Sequence, residues 1–143
     1  MAEFVWLRHE FPWLGSGFLH AVTEMSADQF ISQLEELGFT VVAMRCGAGE
    51  SLSTSLKLAF GFPDWCGDIG QIWDAIHDCF REVEFTHPFA LVWREVEGYA
   101  AASPKLFAEA IVILNSEFEA LATHGIQAEL VITGEGPSFS ALS

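Results

Sequence analysis

The sequence predicts an α/β fold in which a small parallel β-sheet of about three strands is packed with helices. Three observations carry this expectation. The runs Thr40–Arg45, Phe89–Trp93 and Glu129–Thr133 are each nearly continuous in Val, Ile, Leu, Phe or Trp, as strands are when helices cover both faces or one face is deeply packed. The intervals between them are helix-sized and carry helical periodicity, the alternation that marks parallel crossovers. Just over half of the 143 residues are apolar, with thirteen Phe and five Trp, so a sizeable aromatic core can repay the entropy of ordering.

The elements follow in order along the chain. Phe18 to Val22 can add an edge strand. Ser26 is placed to cap a helix over Ala27 to Leu37, whose Phe30, Ile31, Leu34 and Leu37 form one stripe that Gly38 ends. Ser51 opens a second helix through Leu52, Leu56, Leu58, Ala59 and Phe60, stopped by Gly61 and Pro63. Asp68 with Gln71 three residues on is a capping-box pattern, so a third helix runs from about Ile69 to Glu84, with Ile72, Ile76, Cys79, Phe80 and Val83 on one face. The fourth spans Pro104 to His124, with Pro104 in its first turn, Phe107, Ala110, Ile111, Leu114, Phe118 and Leu121 inward, and Gly125 as its stop. No repeat or long linker divides the chain, so it reads as one domain over residues 1–143. Its core lies at about 41–133, after an N-terminal extension at 1–40 and before a polar tail at 134–143.

Charge narrows the function. Twenty Asp and Glu against six Lys and Arg give a formal net charge of −14. Such a surface repels nucleic acid and anionic membranes and speeds encounter with a basic protein, although solubility alone also accounts for it. No apolar run approaches the roughly 18 to 20 residues that span a bilayer, and Met1 to Glu10 lacks the pattern of a secretion signal, so a cytoplasmic location is expected. Cys46, Cys66 and Cys79 are odd in number without a C-x-x-C pair, which predicts reduced thiols with no metal. His9, His20, His87 and His124 offer no ligand spacing, and no cofactor is expected.

The third helix is the informative one. Opposite its apolar face stand Asp74, Asp78 and Glu82 at spacings of four, a ridge of like charge that costs a helix roughly 0.2–0.5 kcal/mol per pair. A solvated acidic face would account for that ridge. Between Asp64 and Glu84, however, six acids and one Arg are interleaved with Trp65, Trp73 and His77, the mixture found in hot-spot patches for basic partners. An enzyme could be imagined from His77 with Cys66 or Cys79, or from Asp74 with Asp78. No third orienting residue or oxyanion motif accompanies either set, and the chain is read as a binding protein, not an enzyme.

Phe62-Pro63-Asp64-Trp65-Cys66-Gly67 followed by Trp73-Asp74-Ala75-Ile76-His77-Asp78-Cys79-Phe80 resembles the signature of the barstar family, a Pro-acid-aromatic-x-Gly turn before an acidic helix. The likeness continues through Pro88-Phe89-Ala90-Leu91-Val92-Trp93-Arg94-Glu95 and covers about Val41 to Thr133. The earlier part looks like the N-terminal extension of longer members. The resemblance implies an intracellular, monomeric inhibitor that blocks the active site of a small basic ribonuclease, its carboxylates standing in for RNA phosphates. The implied partner-binding residues are Trp65, Gly67, Trp73, Asp74, His77, Asp78 and Glu119, with Asp74 and Asp78 matching the motif's two carboxylates. Three departures are visible. About three extra residues lie within Asp68 to Ile72; Ile72 replaces an Asn; and the acidic contact of the last helix falls at Ala120, with Glu119 about 100° round the helix. An immunity-type or general protein-binding module for a different basic toxin or partner is the alternative.

Overall fold

A computed structural model describes residues 19–62, 79–80, 85 and 87–135. Its centre is a four-stranded sheet built from β1 (Leu19–Thr23), β2 (Thr40–Arg45), β3 (Phe89–Arg94) and β4 (Ala128–Gly134). The order is β1-β4-β3-β2 and every neighbouring pair is parallel. The three predicted core strands are present, and the edge strand suggested at Phe18 to Val22 makes the fourth. Four helices are described: α1 (Ala27–Glu36), α2 (Leu52–Phe60), α3 (Glu97–Ala102) and α4 (Pro104–Thr123). A single 3-10 turn, Glu24–Ser26, joins β1 to α1.

Alternation along β3 shows why its sequence is apolar throughout. Phe89, Leu91 and Trp93 enter one core with Leu52 and Leu56 of α2 and Ala110, Leu114 and Phe118 of α4. Ala90 and Val92 face the other way, into a second core with Val22, Phe30, Leu34, Phe39 and Val131. Successive strand residues point to opposite faces, so a strand buried on both sides has no position at which a polar side chain is cheap. The second core is built largely by α1, so the segment ahead of the predicted 41–133 core contributes a strand and the helix that closes the second face. β2 lies at the sheet's edge and is accordingly more open, with Thr40, Ala43 and Arg45 exposed.

Local chemistry sets the helix ends. The Ser51 hydroxyl accepts the Thr54 N–H at 3.4 Å, and Gly61 stops α2 with φ 70°, a left-handed conformation that an L side chain resists. Ser26 stands at the head of α1, but its hydroxyl accepts from Thr23 Oγ1 at 3.0 Å instead of capping a helix N–H. Leu58, part of the apolar run that predicted α2, is 78% exposed. The six-residue α3 is absent from the expected elements because Gly98 and so short a span leave no periodicity to read. It is held by Tyr99, whose ring meets Trp93 edge-on at 5.2 Å.

Of the predicted third helix, Cys79 and Phe80 lie among the described residues and the remainder lies outside them. Both are helical and buried, in agreement with their expected inward face. Cys79 is disulfide-bonded and Cys46 is a free, buried thiol. This corrects the expectation of three reduced thiols. Sequence spacing detects C-x-x-C and metal patterns, whereas a disulfide requires only that two Cα atoms come within about 4.4–6.8 Å, which tertiary packing decides.

Candidate partner-binding face

Trp65, Gly67, Trp73, Asp74, His77 and Asp78 lie outside the described residues; Glu119 lies within them. The structure does describe what flanks that segment. Phe62 precedes it and Phe80 follows it, and their rings pack edge-on at 5.0 Å. Phe80 also meets Phe60 at 5.1 Å and Phe118 at 5.8 Å, both edge to face, the arrangement that aromatic quadrupoles favour. The Phe118 ring in turn packs on Phe89, the first residue of β3, at 5.3 Å. One aromatic cluster at the N-terminal edge of the sheet therefore clamps both ends of the acidic stretch.

Glu119 follows Phe118 on α4. With Phe118 buried and turned toward Phe80, Glu119 is exposed and accepts a hydrogen bond from Asn115 Nδ2, one turn earlier, at 3.3 Å. Ala120, which takes the family's acidic position, is only half-exposed. The aromatic contact thus brings the end of α4 beside the end of the acidic stretch, a juxtaposition that sequence order alone leaves about forty residues apart.

The opposite edge of the sheet is differently built. Arg94, at the end of β3, donates through Nη2 and Nε to Glu24 Oε1 at 2.5 and 3.0 Å and through Nη1 to Asp28 at 2.9 Å. The other Glu24 oxygen accepts from the Thr133 hydroxyl, which itself accepts the Glu95 N–H at 2.9 Å. Burial raises the Glu24 pKa, but the hydrogen bonds from Arg94 and Thr133 outweigh it and hold the carboxyl below its ordinary value. The same bond to Glu24 raises the Arg94 pKa against the opposing effect of burial. Nearby Arg45 pairs with Glu95 at 3.6 Å in an exposed contact. Two of the chain's six basic side chains are thus neutralised at the C-terminal ends of the strands, away from the aromatic clamp. Sequence reading missed this network, for its members lie far apart in the chain and each resembles an ordinary surface charge.

Little in the described residues suggests catalysis. Burial pushes the Cys46 thiol up, with the Glu50 charge adding to it and a Ser55 hydrogen bond opposing, so the thiolate a nucleophile needs is disfavoured. His20 and Glu129 form a buried contact of 3.2 Å between β1 and β4, with Gln127 Nε2 donating to the second carboxylate oxygen at 2.9 Å. Among the described residues no group of three His, Cys, Asp or Glu could hold a metal ion, and no helix is long and apolar enough to cross a membrane.

The profile of the family described as Barstar (barnase inhibitor) matches residues 38–133, two-thirds of the chain. The chain belongs to the barstar family. Compared with curated proteins and with solved structures, it has no match. The barstar match begins just before β2 and ends within β4, so it takes in the aromatic clamp, the acidic stretch and α4. It leaves out β1 and α1, which supply the fourth strand and the cover of the second face.

Proposed function

We propose that this barstar-family chain binds a small basic ribonuclease and blocks its active site with the acidic stretch from Trp65 to Asp78, assisted by Glu119. The observation that carries the reading is the family match across that whole stretch and the last helix, in a chain of net charge −14. A ribonuclease cleft is lined with cationic groups that bind phosphates. Asp74 and Asp78, one helical turn apart on the expected ridge, supply two negative charges to such a cleft, while Trp65, Trp73 and His77 supply the flat area that excludes water around them. The chain needs no chemistry of its own, no cofactor and no metal: it acts as a monomer in the cytoplasm by occupying the site.

The departures within the motif favour keeping a second reading of the same surface. With Ala120 at the acidic position, Ile72 in place of Asn and an insertion within Asp68 to Ile72, the chain suits a basic toxin other than the family's usual nuclease. Titrating the purified protein into small basic ribonucleases while following RNA cleavage tests the primary reading. Stoichiometric loss of cleavage, relieved by Asp74→Ala or Asp78→Ala, supports it. Undiminished cleavage by every such nuclease would overturn it in favour of the immunity-type alternative.

A further inference from the structure

We propose that β1 and α1 form a latched strap, fastened to the rest of the sheet by His20 and Glu24, which acid releases ahead of the remaining fold. The strap is attached along one seam. β1 lies at the sheet's edge and, among the described residues, pairs with β4 alone, over Leu19–Thr23. A polar fastening stands towards each end of that seam. His20 Nε2 lies 3.2 Å from Glu129 Oε2 in a buried contact near its start. Glu24, just past its end, accepts from Arg94 and from the Thr133 hydroxyl. Each fastening joins a residue outside the family match to residues inside it. The other ring nitrogen, His20 Nδ1, is buried with no hydrogen-bond partner among the described residues, so a proton added there meets no acceptor until β1 moves.

Charge decides when the latch opens. The groups around Glu24 come from every neighbouring element described: Arg94 of β3, Thr133 of β4, Asp28 of α1 on the same guanidinium and, at longer range, Arg45 of β2. Burial raises the Glu24 carboxyl, but the hydrogen bonds from Arg94 and Thr133 outweigh it and hold the group below its ordinary value. The latch is therefore closed above the ordinary carboxylate range and is lost as pH falls through the lower, folded value. Asp28 cannot take over, for its side chain is 85% exposed and water already solvates it. Protonation of Glu24 leaves the withdrawn Arg94 guanidinium without its compensating charge, and moving the strap away returns that group to water. The two cores determine which part moves. Val22, Phe30 and Leu34 of the strap pack with Ala90, Val92 and Val131, whereas the aromatic clamp and α4 belong to the other face. The link from α1 to β2 passes through exposed Gly38 at φ 96°, where a glycine can change its backbone angles without a clash. Release thus uncovers the second face and leaves the clamp packed, a sub-global opening of the kind native proteins undergo at their least stable elements.

Amide hydrogen exchange on the full chain tests this, with protection expressed relative to the unfolded chain at each pH. Between neutral pH and about pH 3.5, protection over Leu19–Thr23 and Ala27–Glu36 should fall by about tenfold or more relative to Leu91, Val92 and Trp93 of β3. In Glu24→Gln the same loss should already be present at neutral pH, with β3 protected as in the parent, and acid should add little to it. Equal loss of protection in the strap and in β3 throughout the pH series means one cooperative unfolding and overturns the strap. Parental protection of β1 and α1 in a folded Glu24→Gln overturns the latch. Should that variant fail to fold, the pH series of the parent protein decides by itself.

Discussion

Arg94 at the end of β3 meets Glu24, just past the end of β1, at 2.5 Å, although β4 runs between their strands. The contact spans the sheet over Thr133, which hydrogen-bonds the same carboxylate. It ties the segment outside the family match to the segment inside it. Both side chains are largely withdrawn from water, at 15% and 19% exposure, so each depends on the other for solvation.

Replacing Arg94 by Ala should therefore lower stability by roughly 1–3 kcal/mol, chiefly through the carboxylate left without its partner. Arg94→Lys should recover only part, for a single ammonium cannot bond Glu24 and Asp28 at once. Thermal or urea unfolding measures both, and wild-type stability in Arg94→Ala would show that the network is incidental.

Acid should reveal the same residue. The Glu24 carboxyl is held below its ordinary value when folded, so its contribution is complete above the unfolded value and is lost as pH falls through the folded one. Glu24→Gln should be less stable than wild type at neutral pH, and the gap should close below the ordinary carboxylate range. A gap that widens in acid contradicts this sign. Chemical unfolding across the acid range provides the comparison.

Glu95 adopts φ 56°, a left-handed backbone conformation that costs a non-glycine residue roughly 1–2 kcal/mol. Among the described residues its side chain pairs with Arg45 in an exposed contact, and such pairs contribute about 0–1 kcal/mol. Glu95→Gly should raise stability by up to about 1 kcal/mol, with Glu95→Val lowering it, as read from melting temperatures.

Among the described residues Phe80 makes four ring contacts, three with Phe60, Phe62 and Phe85 and one with Phe118 of α4. Truncation to Ala should cost about 3–5 kcal/mol. Phe80→Leu retains most of the volume and should fold. Its loosened clamp should show as faster amide exchange in residues flanking the stretch.

At the binding face the effects should separate by position. Asp78→Ala should leave stability unchanged or slightly raised, since a like-charge neighbour is removed, yet weaken binding by about 2–5 kcal/mol, a range to which the barnase–barstar pair itself contributed. Glu119→Ala, at an exposed site, should mainly slow association and flatten its dependence on salt. Surface kinetics at two ionic strengths distinguishes them, and equal effects on dissociation would place Glu119 at the centre of the face.

Much of the architecture was legible in the sequence because local patterns record local requirements. The apolar runs at Phe89 and Glu129 mark strands whose two faces are buried, the run at Thr40 marks a strand at the sheet's edge, and Gly61 marks a helix end that needs a left-handed residue. The acidic and aromatic interleaving from Asp64 to Glu84 likewise named a candidate face, and the resemblance of the Phe62–Gly67 and Trp73–Phe80 motifs named the family. What depended on distant segments was not legible there. β1 lies beside β4 and not beside β2, Glu24 finds Arg94 seventy positions away, and Phe118 carries Glu119 to the end of the acidic stretch. Dihedral preference and periodicity act over a few residues and leave their mark in sequence. Which buried faces meet, and which charges thereby lose their water and must find one another, is decided only when the whole chain packs.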